Sequence, residues 1–231
     1  MKILAIDTSS NVCSVALLEN NIPIKELNIY DSKTHSENLI PLIKELLEIT
    51  HYTLSDLQLI ACNKGPGSFT GIRIGVSSVK AFSQVHNIPI VGVSSLDGLA
   101  YNEIIENGII CPMIDCRNSN VYSAIFNKDY KCLSNYMANN INDIILLLKE
   151  KKYFDITFIG DGALLHKNLL ENELSNFNIH FSESNILNAS NIGKCAFSSY
   201  SLGIYQNADT IVPMYINKSQ AERMQELKNR F

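Results

Sequence analysis

One alternation of apolar and polar positions runs along this chain twice. Ile3-Leu4-Ala5-Ile6-Asp7 is a short apolar run ending in Asp, Asn11 to Leu17 is a second run, and Ile22 to Tyr30 is a third. Runs of this length bounded by turn residues read as strands. In the middle of the chain Ile110-Cys111-Pro112-Met113-Ile114-Asp115 again ends in Ile-Asp. Asn120 to Phe126 echoes the second strand and Tyr130 to Met137 the third. Glu19-Asn20-Asn21 and Asn127-Lys128-Asp129 have hairpin-turn chemistry. After each triplet, helical and strand patterns alternate. The first half predicts helix 35–50, strand 57–63, helix 70–86, strand 89–93 and helix 95–106. The second predicts helix 141–151, strand 155–160, helix 163–173, strand 178–181 and helix 190–206.

Two βββαβαβα units predict an α/β protein of two lobes, residues 1–107 and 108–231, divided near Asn107-Gly108. The alternating portions need crossover connections, so their strands should be largely parallel. Ligands in such folds sit between lobes, beyond the carboxyl ends of strands. Asp7, Asp115 and Gly160-Asp161-Gly162 fall at such ends.

The most distinctive stretch is Gly65-Pro66-Gly67-Ser68-Phe69-Thr70-Gly71-Ile72-Arg73-Ile74-Gly75, between an apolar strand and a helix. Glycines there serve a backbone that turns sharply or approaches something closely. A P-loop would end in Gly-Lys-Ser/Thr, and a dinucleotide fingerprint would carry a third Gly where Thr70 stands. The loop therefore reads either as an anion cradle at a helix N-terminus or as a tight packing turn.

Composition narrows the class. The 231 residues are 46% hydrophobic and 18% charged, which is globular. The formal net charge of −4 makes the whole chain a poor lone binder of nucleic acid. Six cysteines show no zinc spacing, and most lie in apolar runs, which fits a reducing cytoplasm. Met1-Lys2 leads directly into a strand without a signal-like core. No apolar run approaches the roughly 18 residues that cross a bilayer, so no membrane is expected. Lys218 to Phe231 reads as a mildly basic, solvated helical tail.

Asp7-Thr8-Ser9, His35-Ser36-Glu37 with Leu39-Ile40-Pro41, the glycine run, Asp115-Cys116-Arg117 and Gly160-Asp161-Gly162 occur in one order. Together they resemble the TsaB (YeaZ) family from Met1 to about Tyr215, most specifically over Gly65–Gly75. The resemblance implies the two-lobed actin/Hsp70/sugar-kinase (ribonuclease H-like) superfold. It implies a non-catalytic partner of a TsaD-like paralogue in placing threonylcarbamoyl on the adenosine next to the anticodon of tRNA. A TsaE-like ATPase would join the complex, the chain alone would pair with itself, and tRNA would be contacted indirectly. No cofactor is required of this chain, although ATP or ADP has room at the lobe cleft or the complex interface.

The residues bear on that implication. Phosphotransferases of the superfold resemble Asp-x-Gly-x-Thr in the first hairpin, and Asp7-Thr8-Ser9-Ser10-Asn11 lacks the glycine. Asp7 and Thr8 can face an anion, or Asp7 can bond its own following N–H groups. A metal-binding paralogue carries two histidines four apart; His35 matches the first, but Leu39 stands at the second. No metal is expected, and His35 reads as first-turn residue of a helix capped by a Thr34-x-x-Glu37 box. Gly65, Gly67, Ser68, Thr70, Gly71 and Arg73 complete the candidate anion or nucleotide contacts. Arg73 can bind a carboxylate or phosphate bidentately, or lock the loop by a salt bridge.

Helix 35–50 carries Leu39, Ile40, Leu42, Ile43, Leu46, Leu47 and Ile49, more than the roughly 100° stripe of a one-sided helix. Pro41 should bend it. Gly71, Gly75, Ser78 and Phe82 form a ridge of small residues ending in an aromatic. Both helices read either as simply well buried or as facing the core on one side and a partner on the other. The resemblance, to a family that pairs with TsaD and with itself through its first lobe, implies the second, with His35, Leu39, Leu42, Ile43, Leu46, Gly71, Gly75, Ser78 and Phe82 as the candidate partner interface. The alternatives are an ATP-dependent kinase or acyltransferase of the same superfold and, with neither triad nor metal ligands, a peptidase.

Overall fold

The first strand, β1 (Lys2–Asp7), is apolar without alternation because both of its faces are covered. A computed structural model describes residues 1–30 and 35–216. β1 is followed by β2 (Cys13–Glu19), β3 (Ile22–Ile29), α1 (His35–Thr50), β4 (Leu59–Asn63), α2 (Phe69–His86), β5 (Ile90–Val93) and α3 (Ser95–Ala100). The second half runs β6 (Ile109–Asp115), β7 (Asn120–Ser123), β8 (Phe126–Asn127), β9 (Met137–Asn140), α4 (Ile141–Lys151), β10 (Asp155–Ile159), α5 (Asp161–Leu165), α6 (Lys167–Glu173), β11 (Asn178–Phe181) and α7 (Ala189–Ser201).

The duplication is real in three dimensions. The first sheet is ordered β3-β2-β1-β4-β5, and the second reads β9-β7-β6-β10-β11 in the same sense. In each sheet the hairpin strands pair antiparallel and the two crossover strands pair parallel. Side chains of β1 alternate across the sheet. Leu4 and Ile6 join a core with α1 and α2, whereas Ile3 and Ala5 join one with α3 and α7. That second core also takes Ile110, Phe126 and Ile159 from the other sheet, while Cys111, Met113 and Phe158 face α4 and α6. The layers are thus helices, sheet, α3 with α7, sheet, helices.

Several elements depart from the sequence reading. α7 follows the second sheet in the chain, yet its Ala189, Ile192 and Ala196 pack on the first. It ends at Ser201 instead of 206, where Gly203 takes φ +77°. The chain then crosses the edge of the first sheet: Gln206 exchanges backbone bonds with Ile90 (2.9 and 2.7 Å), and Ile211 is fully buried. The helix expected over 95–106 stops at Ala100, because Asn102 turns its amide to the carbonyls of Ser184 (2.6 Å) and Ile186 (3.0 Å).

The strand expected over 130–137 is instead Met137–Asn140. Tyr130 stacks on Tyr101 and Tyr136 donates to Asp97, so these aromatic residues join the lobes and leave the ladder. The helix expected over 163–173 breaks at His166 into α5 and α6. α1 continues through Pro41 without interruption. Thr34, half of the expected capping box, and the 218–231 tail lie outside the described residues.

Candidate functional site

The glycine run forms the turn between β4 and α2, seated on the first hairpin. Asp7 Oδ1 accepts from Ser9 N (2.9 Å) and from Asn63 Nδ2 (2.7 Å). Asn63 Oδ1 accepts from Gly65 N (2.8 Å). The Ser95 hydroxyl lies 2.6 Å from the Pro66 carbonyl and 2.9 Å from Asn63 Oδ1. Ser68 N donates to Ser9 O (2.7 Å), and its side chain caps α2 by accepting from Gly71 N (3.2 Å). The Gly65–Pro66 peptide is cis. Gly65, at φ +107°, leaves no room for a side chain, since a Cβ would lie 2.8 Å from the Met214 carbonyl.

Asp7 and Thr8, expected as possible anion contacts, are fully buried. Their bonds run inward, Thr8 Oγ1 donating to the Gly71 carbonyl at 2.7 Å. Burial pushes the Asp7 carboxyl above its ordinary range, against the opposing pull of its hydrogen bonds, and Oδ2 has no partner. The turn-forming reading of Asp7 describes its Oδ1. Gly71 and Gly75 are also buried, pressed against Thr8, so they serve packing between hairpin and helix.

A cleft of about 670 Å³ opens between the lobes, within the size range of small-molecule sites. From the first lobe it is lined by Ser9, Ser10, Asn11, Gly67, Ser68 and Phe69. From the second come Asp115, Cys116, Arg117, Asp161 and Asn185. Thr70 and Arg73 lie outside it. Asp161 Oδ1 accepts from Asp115 N (3.0 Å), and Asn185 Oδ1 accepts from Gly160 N (2.8 Å), so Gly160-Asp161-Gly162 ties β10 to β6. Arg117, Asn118 and Ser119 are consecutive left-handed residues (φ 68°, 53° and 58°). Each costs about 1–2 kcal/mol. The turn is closed by Asn120 N on Arg117 O (3.0 Å) and by Ile141 N on Ser119 O (2.9 Å).

His35 opens α1, buried, with Nε2 donating to the Ser10 carbonyl at 2.8 Å, so it fastens the helix to the hairpin. Among the described residues no group of three or more His, Cys, Asp or Glu has metal-holding geometry.

The expected partner residues divide by exposure. Leu39, Leu42, Ile43 and Leu46 are core residues beneath α1, at most 4% exposed, and are not surface. The excess apolar residues of that helix split between two faces, and these took the inner one. Ser78 and Phe82 are half-buried. The exposed positions are instead Ile40 and Ile49, on opposite flanks of α1, and on α2 Phe69 and Arg73 near its start with Val85 near its end. Arg73 forms no ion pair among the described residues. Its Nε donates to the Tyr215 hydroxyl (2.9 Å), with the guanidinium 3.8 Å from the Phe69 ring centre.

Sequence reasoning missed Asn63, Ser95 and Tyr215. Asn63 carries a signal, a polar residue closing an apolar strand just before the glycines. Ser95 and Tyr215 carry none, because their roles depend on distant segments.

Comparison with known proteins follows the same outline. Residues 30–224 match the family model described as TsaD, tRNA N6-adenosine threonylcarbamoyltransferase. The tRNA threonylcarbamoyladenosine biosynthesis protein TsaB of Bacillus subtilis (strain 168) is 37% identical over 177 residues, covering 75% of this chain and 77% of the relative. The TsaB of Escherichia coli (strain K12) is 33% identical over 131 residues, 56% of each chain. YeaZ from Pseudomonas aeruginosa superposes with a TM-score of 0.78 at 22% identity, covering 93% of this chain and 100% of its own. An inorganic polyphosphate/ATP-glucomannokinase from Arthrobacter sp. strain KM superposes with a TM-score of 0.55 at 10% identity, over 87% and 99% of the chains. At these identities the two structures speak for the fold alone.

Proposed function

The chain belongs to the TsaD-type family of that model, among its TsaB (YeaZ) proteins, and from this premise we propose that it serves tRNA threonylcarbamoyladenosine biosynthesis as a non-catalytic subunit. It binds and activates a TsaD-like paralogue, with a TsaE-like ATPase joining the complex and tRNA reached through its partners. Alone, it pairs with itself.

One observation carries the non-catalytic reading. The hairpin that grips phosphate in kinases of this superfold is here occupied with its own lobe. Asp7 and Thr8 are buried and bonded to Ser9, Asn63 and Gly71, and no hairpin glycine frees backbone N–H groups for a phosphate. These residues do not fit a triphosphate grip. The docking surface in this reading lies on the exposed sides of α1 and α2, which carry Ile40, Ile49, Phe69 and Val85 at 41–74% exposure.

Sedimentation velocity of the purified chain with its TsaD-like paralogue tests the reading. It expects a heterodimer that Ile40→Glu and Val85→Glu dissolve; separate sedimentation of the two chains would refute it. The cleft favours a second reading, an ATP-dependent kinase or acyltransferase, because Asp115, Asp161 and Arg117 line it. Magnesium-dependent ATP turnover by the chain alone would support that alternative.

A further inference from the structure

The start of α2 carries an ordered cation with no ion-pair partner among the described residues. Arg73 is exposed on α2, and α2 contains no acidic residue anywhere along its length. The guanidinium carbon lies 3.8 Å from the Phe69 ring centre and 5.8 Å from that of Tyr215. The two rings are themselves 4.9 Å apart. Arginine carries about 2 kcal/mol of rotamer entropy that recognition must normally overcome. Here the rings and one hydrogen bond have already restrained the side chain. That bond uses Nε, so the terminal nitrogens remain to grip an anion end-on.

The anion's source is argued from the neighbouring helix. The outward residues of α1 include Glu37, Glu45 and Glu48, with Lys44 paired to Glu48. A nucleic-acid backbone laid across both helices would meet these carboxylates. A protein surface can set one acid against Arg73 and apolar atoms against Phe69 and Ile40. We propose that Arg73, held by Phe69 and Tyr215, reads a carboxylate side chain on the TsaD-like subunit. Tyr215 is then a positioning residue, which makes the segment crossing back from α7 part of the docking face. This inference rests on the reading of the chain as a TsaD-binding subunit.

The test is calorimetric titration of the full chain into its TsaD-like paralogue at low and moderate salt. Arg73→Gln should bind ~30-fold more weakly at low salt and lose most of the salt dependence, as expected for one removed interfacial charge. Arg73→Lys should fall between, lacking the planar fork. Tyr215→Phe, which keeps the ring and loses the bond, should weaken binding a few-fold. Thermal melting should stay near wild type for all three. Unchanged affinity of Arg73→Gln overturns the inference, as does weaker binding with an unaltered salt dependence, which would mark a packing role. Absence of binding by the wild-type chain overturns the underlying reading itself, and the inference with it.

Discussion

The Thr8 hydroxyl donates to the Gly71 carbonyl across 2.7 Å, and the Thr8 carbonyl fills the space that a side chain at position 71 would enter. Hairpin and helix meet backbone to backbone at this point. The close approach explains why the glycine run extends into the first turns of α2, where glycine is otherwise unfavourable by about 1 kcal/mol per residue.

Gly71→Ala should therefore destabilise the fold by about 3 kcal/mol, the upper end of the usual range for overpacking. For a chain of this length that lowers the melting temperature by roughly 6–12 °C. Gly203→Ala, which meets no atom within 4 Å, should cost only about 1 kcal/mol, through its left-handed backbone. Equal melting temperatures for the two variants would contradict the packing described.

Core and surface positions of α1 should separate cleanly. Leu46 is fully buried, so Leu46→Glu places an unpaired charge in the core and should cost at least about 4 kcal/mol. Ile40 is 50% exposed. Ile40→Glu should change stability by less than about 0.5 kcal/mol while weakening association with the paralogue. Urea unfolding beside a binding assay measures both. A stable Leu46→Glu variant would show that the helix faces the other way.

Asp7 gives a pH signature. Its folded-state pKa is raised by burial, so the native chain binds this proton more tightly than the unfolded chain. The contribution is full below the unfolded value and is lost as pH rises through the folded one. Asp7→Asn cannot ionise and escapes that loss. The stability of Asp7→Asn relative to wild type should rise between pH 4 and pH 8 in denaturant titrations. A difference that falls with pH would mean that the carboxylate is stabilised in the fold.

Thiol labelling probes the same region. Burial pushes the Cys13 thiol up to about 11 and that of Cys111 to about 12. At pH 8 neither should react in the native chain, whereas all six cysteines should react in denaturant. Native labelling of Cys13, located by mass spectrometry, would show that the first hairpin opens.

The duplicated architecture was legible because its central strands are continuous apolar runs, and Asp7 and Asp115 mark equivalent strand ends. What escaped was governed by distant contacts. Tyr130 and Tyr136 have strand-like chemistry, yet Tyr101 and Asp97 hold them at the lobe junction. Residues 207–216 carried no predicted element; Gln206 on Ile90 and Tyr215 on Arg73 fix the path of this segment. At the site, the glycine run was visible but its use was not. Sequence left open whether the glycine loop cradles an anion or is a tight packing turn, and only the fold brings Thr8 onto Gly71. Apolar content likewise marked α1 as two-faced without saying which face was the core.

The role proposed for the chain in tRNA threonylcarbamoyladenosine formation is obligatory and non-catalytic. The most direct measurement is threonylcarbamoylation of tRNA in a reconstituted mixture of the TsaD-like paralogue and its other components, with and without this chain. Modification should require the chain in stoichiometric amounts, while the chain alone turns over no ATP. Modification at the same rate without it would rule out an obligatory role.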